Sequence, residues 1–254
     1  MGDDGGRPRP GDYAWWSARR PAGPAAARRG RPPADLGRVV AEALALVDEV
    51  GVSAFTMRML ADRLNSGTAT LYRHFAGKEE ILVQVVDQIL GEVEVAEADI
   101  ATRSWQEAIT LASAEFYLVL RKHPNVLPLL VSQITVGPNG LANRERVLGL
   151  LLAHGFGPDL AARAFLALAH YVVGFAIQQH CPGVADYDSA DRHGFYDSLD
   201  AKAFAAVTTT APFLRGRSLD EEFHFGLTLL LIGLEHLRSR SVTVTRCTSE
   251  EWDR

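Results

Sequence analysis

The sequence predicts an all-α protein with a small N-terminal helical domain and a larger C-terminal helical domain. Apolar residues recur at three- and four-residue steps in most segments, which is the periodicity of one helix face. Alternation typical of a β-strand occurs at most in Ser241–Thr245, which is short and polar. With 254 residues, 47% of them hydrophobic, the chain is long enough for two modest domains.

Charge divides the chain into a basic first part and an acidic body. Residues 1–78 carry 12 Lys and Arg against 8 Asp and Glu, whereas residues 79–254 carry 14 against 23. This distribution is typical of a protein whose first domain meets phosphate groups and whose remainder does not.

We expect a soluble, cytoplasmic protein. The first 34 residues are rich in Arg, Pro, Ala and Gly and lack the apolar segment of a secretory signal. The most apolar stretch, Ala164–Ile177, contains His170 and is too short to span a bilayer. The only two cysteines, Cys181 and Cys247, make neither a disulfide framework nor a zinc motif.

The chain opens with residues 1–33, which we interpret as a disordered basic arm. It holds seven arginines among many Pro and Gly residues, and its bulky apolar residues are Tyr13, Trp15 and Trp16. Four helices follow. The pattern predicts them over Asp35–Val50, Met57–Leu64, Thr68–Phe75 and Lys78–Ala98, with Gly51 as a left-handed cap of the first and Thr56 capping the second.

The segment from Thr56 to Lys78 has the form of a helix-turn-helix unit. Two short helices flank the break at Asn65–Gly67, and the second exposes polar side chains, namely Thr68, Thr70, Tyr72, Arg73 and His74. Short polar groups at the start of such a helix can approach DNA base edges, and hydroxyl and imidazole groups can donate to phosphate. The same pattern also suits an ordinary pair of amphipathic helices, so it leaves both interpretations open.

A family resemblance favours the DNA-binding interpretation. Thr56-Met57-Arg58-x-Leu60-Ala61, followed by Thr70-Leu71-Tyr72-Arg73-His74-Phe75-x-x-Lys78-Glu79, resembles the DNA-binding domain of the TetR/AcrR family of bacterial transcriptional regulators. The resemblance covers about Val39 to Val86. The C-terminal region, with Phe223-x-Phe225-Gly226-Leu227 in its last helix, is similar at a looser level to the tetracycline-repressor-like branch.

The resemblance implies an architecture and a function. Residues 34–80 would form a three-helix helix-turn-helix DNA-binding domain, residues 81–240 a helical ligand-binding and dimerisation domain, and residues 241–254 a tail. The implied protein is a homodimeric repressor that a small-molecule effector releases from a palindromic operator of double-stranded DNA. The alternative is a helix-turn-helix protein whose C-terminal half binds a protein partner instead of a small molecule.

The resemblance also implies roles for individual residues. Arg58, Thr68 and Thr70 would face bases, and Tyr72, His74 and Lys78 would contact phosphates, with Arg73 exposed beside them. Arg29 and Arg31, in the part of the arm nearest the domain, would reach DNA phosphates or a minor groove, unless the arm is only a solubilising tail. The turn departs from the family pattern, which often has Gly-Val-Ser there. Asn65 tolerates a left-handed conformation, and we expect Ser66 or Thr68 to supply the missing cap.

The rest of the chain also has helical periodicity. We predict helices over Trp105–His123, Asn125–Ile134, Leu141–His154, Pro158–Cys181 and Leu219–Ser239. Residues 182–218 are rich in loop-forming residues and are expected to be mobile, with at most a short helix near Asp200–Val207.

The fourth and fifth of these helices are apolar on most sides, which favours a subunit interface over simple core. The expected interface residues are Phe165, Leu168, Val172, Phe223, Leu227, Leu230, Leu231 and Leu234. Polar or aromatic residues set in apolar helices are weak candidates for an effector pocket, although such residues more often pack in a core. They are Trp105, Phe116, Tyr117, Gln133, His170, Phe175 and Gln178.

Catalysis is not expected. The chain has no GxSxG, Walker or HExxH pattern, and its eight histidines are scattered without the spacing of metal ligands. We therefore predict neither an enzyme nor a cofactor or metal site.

Overall fold

A computed structural model describes residues 8–19, 36–96, 102–133, 135–180, 190–214 and 218–240, and within these ranges it is helical without a β-strand. The helices are α1 (Tyr13–Arg19), α2 (Leu36–Ala54), α3 (Met57–Arg63), α4 (Thr68–Tyr72), α5 (Lys78–Gly91), α6 (Trp105–Lys122), a 3₁₀ turn (Pro124–Val126), α7 (Leu127–Ser132), α8 (Pro138–Ala153), α9 (Pro158–Gln179), α10 (Ala190–Asp197), α11 (Ala205–Leu214) and α12 (Leu219–Arg240). The all-α prediction is confirmed.

Helices α2, α3 and α4 pack their apolar faces together, and α2 also packs along α5. Buried residues include Leu44 and Val47 of α2, Leu60 of α3 and Leu71 of α4. Gly51 has φ 77° and ψ 162°, so its φ is positive as predicted, while its ψ lies outside the left-handed helical region. A further helical turn then runs to Ala54.

Helix α5 is shorter than the predicted Lys78–Ala98. Gly91 is its last residue, and residues 93–96 have no regular secondary structure, with Val93 and Val95 buried and Glu94 exposed between them. Glycine is a poor helix former, and β-branched residues that alternate with polar ones favour extended backbone.

Residues 8–19 correct the interpretation of the arm as wholly disordered. Helix α1 lies against α5, with Trp15 only 4% exposed and Arg19 donating to Glu80 at 2.6 Å. Burial of the large Trp15 side chain holds α1 in place, although the Arg-, Pro- and Gly-rich composition of the arm predicts disorder. Arg29, Arg31 and the tail 241–254 lie outside the described residues.

The C-terminal half is a helical bundle in which α9 packs against α6, α8 and α12. Within the described ranges, α9 is long and apolar enough by composition to cross a membrane, and here it packs against three other helices. Two helices, α10 and α11, occupy the stretch that we expected to be loop, and α11 is anchored through buried Ala211. Sequence reasoning missed α10, because it is mostly polar, and placed α11 about five residues early, because three consecutive threonines and Pro212 are unfavourable in a helix.

Candidate nucleic-acid interface and ligand cavity

The surface of α3 and α4 presents the polar residues predicted to meet DNA. Arg58, Thr68, Arg73 and His74 are exposed, Thr70 is half-buried, and the aromatic ring of Tyr72 is 56% exposed. Leu71 and Phe75 are both buried and hold α4 against the domain. The exposed Tyr72 ring can present its hydroxyl group to a phosphate oxygen.

The turn between α3 and α4 is built differently from the expectation. Thr56 does cap α3, accepting from the Met59 N–H at 3.2 Å, and Asn65 has a positive φ of 49°. The cap of α4 is Gly67, and no side chain bonds to the helix there. Ser66 and Thr68 therefore do not supply a cap, and the first N–H groups of α4 are left available to an acceptor from outside.

The cations at this surface divide into free and engaged groups. Arg58 and Arg73 form no ion pair within the described residues. Arg63 pairs with Glu49 at 2.7 Å and Glu42 at 2.9 Å, and the hydrogen bonds that its guanidinium donates to these carboxylates raise the pKa of that group. Arg63 therefore braces α3 against α2, whereas Arg58 and Arg73 can turn toward phosphate.

The ammonium group of Lys78 already makes contacts within the protein, in addition to its predicted role at phosphate. Its Nζ donates to the Val52 carbonyl at 2.8 Å and lies 5.7 Å from the centroid of the Phe55 ring. These contacts join the start of α5 to the end of α2. A phosphate contact by Lys78 would have to be shared with this junction, or replace it.

Helix α5 is anchored at both ends. Near its start, the buried Glu80 carboxylate accepts from the Ala76 N–H at 2.7 Å and from Arg19. Near its end, His123 lies between Asp48 of α2, 2.7 Å from Nδ1, and Glu92, 3.1 Å from Nε2. Burial raises the pKa of the Glu92 carboxyl, but hydrogen bonds from Lys122 and His123 outweigh it, so the pKa lies below its ordinary value. These contacts make α5 a stiff link between the two halves.

The middle of α5 is bonded to the start of α8. The Asp87 carboxylate accepts the backbone N–H groups of Asn139 at 3.1 Å and Gly140 at 3.0 Å. The Asn139 side chain donates back to the Asp87 carbonyl at 3.0 Å, and Asn143 donates to the Leu90 carbonyl at 2.6 Å. A Cβ at Gly140 would lie 2.7 Å from a backbone oxygen of Thr135, so this close approach requires glycine.

A cavity of about 610 Å³ lies between the end of α5 and helices α6 to α9. Its walls are mostly apolar, as in small-molecule sites of this size. The polar side chains that line it are Ser113, Gln133, Thr135, Asn143, Arg144, Arg146 and His170. Helix α8 lines the cavity and also carries the bonds to α5.

Three of the predicted effector residues, Phe116, Gln133 and His170, line this cavity. The other four do not. Trp105 packs on Phe156 and donates to Glu235, and Tyr117 stacks on Phe223 and donates to Gln179. Phe175 packs in the same aromatic group, and Gln178 is exposed. Sequence reasoning missed Asn143 and Arg144, although their spacing to Gly140 and Val147 places them on one helix face.

The predicted dimer residues are mostly buried inside the single chain. Leu168, Val172, Phe223, Leu227, Leu231 and Leu234 are buried, whereas Phe165 and Leu230 are half-buried. Most of the predicted face of α12 therefore packs inside the same chain. The exposed apolar residues are Phe225, Leu229 and Ile232 on α12, at spacing i, i+4 and i+7, and Leu166 on α9.

Comparison with known proteins agrees with both halves of the geometry. The profile described as "Bacterial regulatory proteins, tetR family" matches residues 39–85, and "Tetracyclin repressor-like, C-terminal domain" matches residues 100–238. The HTH-type transcriptional repressor DrrR1 of Streptomyces coeruleorubidus is 29% identical over 89% of this chain and 84% of its own length. The class G tetracycline repressor protein of Vibrio anguillarum is 28% identical over 81% of this chain and 95% of its own.

Among solved structures, the chain is similar to the Streptomyces coelicolor TetR family protein ActR in complex with actinorhodin. The sequence identity is 30%, the TM-score is 0.71, and the match covers 80% of this chain and 98% of ActR.

Proposed function

The chain belongs to the TetR family and is a DNA-binding transcriptional repressor regulated by a small-molecule effector, and we propose that it works in the cytoplasm as a homodimer on a palindromic operator. The domain division at about residue 80 is part of this proposal.

The observation that carries the proposal is the double role of α8. This helix lines the cavity through Asn143, Arg144 and Val147, and through Asp87 it is bonded to α5, which begins at the DNA-binding unit. The cavity supports a small-molecule effector over a protein partner, because a concave, mostly apolar space of this volume suits a drug-sized molecule. ActR, to which this chain is similar, has been solved in complex with actinorhodin.

Release from DNA would follow from movement of α8. An effector in the cavity displaces α8, and the bonds to Asp87 and Leu90 transmit the displacement to α5. Since α5 is also fixed to α2 through Lys78 and His123, the DNA-binding unit moves with it. The separation of the two recognition helices in the dimer then changes, and both half-sites are no longer engaged together.

The DNA contacts are assigned by exposure and charge. Arg58, Thr68 and Thr70 would face base edges, while Tyr72, Arg73 and His74 would contact phosphates. Lys78 would serve mainly at the junction with Val52 and secondarily as a phosphate contact. Arg29 and Arg31 remain proposed arm contacts.

The proposed dimer surface consists of Phe225, Leu229 and Ile232 on α12 together with Leu166 on α9. These side chains are about half to two-thirds exposed in the single chain. Two copies of this surface around a two-fold axis would bury them against each other. The same axis would match a palindromic operator with half-sites about one DNA turn apart.

Selection of bound DNA from a random pool tests the proposal as a whole. We expect the full chain to enrich a palindrome, and its affinity for that palindrome to fall as salt concentration rises. Failure to enrich any sequence, or binding insensitive to salt, would overturn it.

The residue roles are tested by fluorescence anisotropy with the selected DNA and a scrambled duplex. We expect Tyr72→Ala to weaken binding to both duplexes by about tenfold, because a phosphate contact carries no sequence information. Arg58→Ala should weaken binding to the selected DNA more than to the scrambled duplex. Arg163→Ala, on the distant α9, is the matched control with unchanged binding. Equal affinities for wild type and Tyr72→Ala would refute the phosphate assignment.

A further inference from the structure

The ionisable side chains that line the cavity are all basic. Arg144, Arg146 and His170 line it, and no Asp or Glu is among its lining residues. An apolar space with two guanidinium groups and no carboxylate has an unbalanced positive potential. This potential favours an occupant that carries a negative charge.

Of the two arginines, Arg144 is the one without a polar partner. Arg146 donates through Nη1 to the Asn143 side chain at 2.9 Å. The Nε of Arg144 is buried and has no hydrogen-bond partner, and no ion pair to Arg144 occurs in the described chain. A buried N–H without an acceptor is unfavourable, and at a charged group the penalty is larger.

The surroundings of Arg144 indicate the rest of the ligand. Its Cζ lies 5.3 Å from the centroid of the Phe165 ring, and Phe116 contributes a second ring to the cavity wall. Aromatic faces in an apolar cavity favour a planar aromatic body. A guanidinium presents parallel N–H donors whose spacing matches the two oxygens of a carboxylate.

We propose that the effector is an aromatic carboxylic acid whose carboxylate pairs with Arg144 while its ring system fills the apolar part of the cavity. This proposal rests on the proposed function, since it names the chemical class of the effector at the same site. Arg144 follows Asn143, which is bonded to the Leu90 carbonyl of α5, and lies one turn after Gly140, which is bonded to Asp87. A ligand drawn to Arg144 therefore acts on the turn of α8 that is bonded to α5.

The test compares acids with their neutral amides. The probes are 1-naphthoate, 2-naphthoate and anthraquinone-2-carboxylate, each with its carboxamide, titrated into the full chain by calorimetry at neutral pH. We expect at least one acid to bind about tenfold or more tightly than its amide, because a charge-assisted pair replaces a buried, unpaired donor. If no acid in the set binds more tightly than its amide, the proposal is overturned.

Substitutions of single arginines test which residue causes the tighter binding of acids than of amides. Arg144→Met keeps an unbranched apolar stem beside Phe165 and should abolish the acid preference, so that acid and amide bind within about twofold of each other. Arg146→Met, whose guanidinium already bonds Asn143, should retain most of the preference, and Arg163→Met on the protein surface should retain all of it. Circular dichroism and the thermal midpoint establish that each variant is folded. An undiminished acid preference in folded Arg144→Met would refute the role of Arg144.

The chemical class of the effector and the repressor mechanism can each fail without the other. Operator binding, and its loss when any cavity ligand is added, test the repressor mechanism. If neutral amides release the protein from DNA as well as the acids do, the repressor mechanism stands and the acid class is wrong. If the acids bind through Arg144 but leave operator binding unchanged, the chemical class of the cavity's ligand is correct and the release mechanism is wrong.

Discussion

Asp87 shows how one side chain can connect two helices. It lies on α5, is 9% exposed, and accepts two backbone N–H groups at the start of α8. Burial raises the pKa of its carboxyl, and the bonds from Gly140 and Asn139 only partly offset this effect. Helix periodicity predicts that this position faces the interior, but the partner of a buried carboxylate 52 residues away is decided by the packing of α5 on α8.

Replacing Asp87 by Ala should destabilise the protein by about 1–3 kcal/mol, because the N–H groups of Asn139 and Gly140 lose a buried acceptor. Chemical denaturation measures this. Asp62→Ala, an exposed carboxylate on α3, is the control and should change the free energy of unfolding by less than about 0.5 kcal/mol. Equal effects of the two substitutions would contradict the bonding of α5 to α8 through Asp87.

The raised pKa of Asp87 also predicts a pH dependence. A carboxyl whose pKa is higher in the folded state contributes stability that is fully present below its unfolded pKa and is lost as pH rises through the folded pKa. The free energy of unfolding of wild type relative to Asp87→Asn should therefore decrease as the pH rises above the unfolded-state pKa of about 4. A difference that increases over this range would contradict the assignment.

At the scale of elements, α1 is the main departure from expectation. An Arg-, Pro- and Gly-rich composition predicts disorder, yet Trp15 is buried and Arg19 stacks over its ring with the guanidinium carbon 3.9 Å from the centroid. The same arginine pairs with Glu80, which bonds the backbone just before α5. Helix α1 therefore also contacts α5, the helix that connects the two halves, in addition to the contacts that α5 makes with α2 and α8.

Trp15→Ala should detach α1 as a unit. Loss of a buried Trp side chain costs about 3–5 kcal/mol, and a seven-residue helix is not stable in isolation. We expect hydrogen exchange of the α1 amides to become as fast as in an unfolded peptide, with a smaller change in the global midpoint. Tyr13→Ala, on the exposed face of the same helix, should preserve the protection, and continued protection in Trp15→Ala would argue against docking through this ring.

At the scale of the whole molecule, the packing of α12 decides which of its apolar faces is exposed for the proposed dimer. Its two apolar faces look alike in sequence, but Phe223 and Leu227 pack against α9 while Phe225, Leu229 and Ile232 remain exposed. Gly226 permits the close crossing, since a Cβ there would lie 2.4 Å from the Tyr171 hydroxyl oxygen. The crossing turns the other face outward.

Ile232→Glu should convert the proposed dimer to a monomer, because two carboxylates would face each other across the axis without partners. Light scattering after gel filtration measures the mass, and operator affinity should fall by about a hundredfold when the half-sites are bound singly. Leu118→Glu, on an equally exposed site of α6, is the control and should remain dimeric. A dimeric Ile232→Glu protein would place the interface elsewhere.

The sequence by itself determined the helical class, most helix positions and the exposed residues of α3 and α4. These follow from local physics: periodicity sets which residues of a short helix face inward, and Thr56 and Asn65 set its ends. The basic charge of the first 78 residues and the sequence motif around Tyr72 can be recognised without knowing any distant contact.

Only the tertiary structure decided the cavity wall, the bond between Asp87 and α8, the docking of α1 and the free face of α12. Each depends on which of several apolar faces packs against which helix, and residues far apart in sequence settle that choice. A helix that is apolar on most sides carries no local mark of the side its own chain will cover. Arg144 is the sharpest case, because only the packed bundle shows that its Nε is buried without a partner.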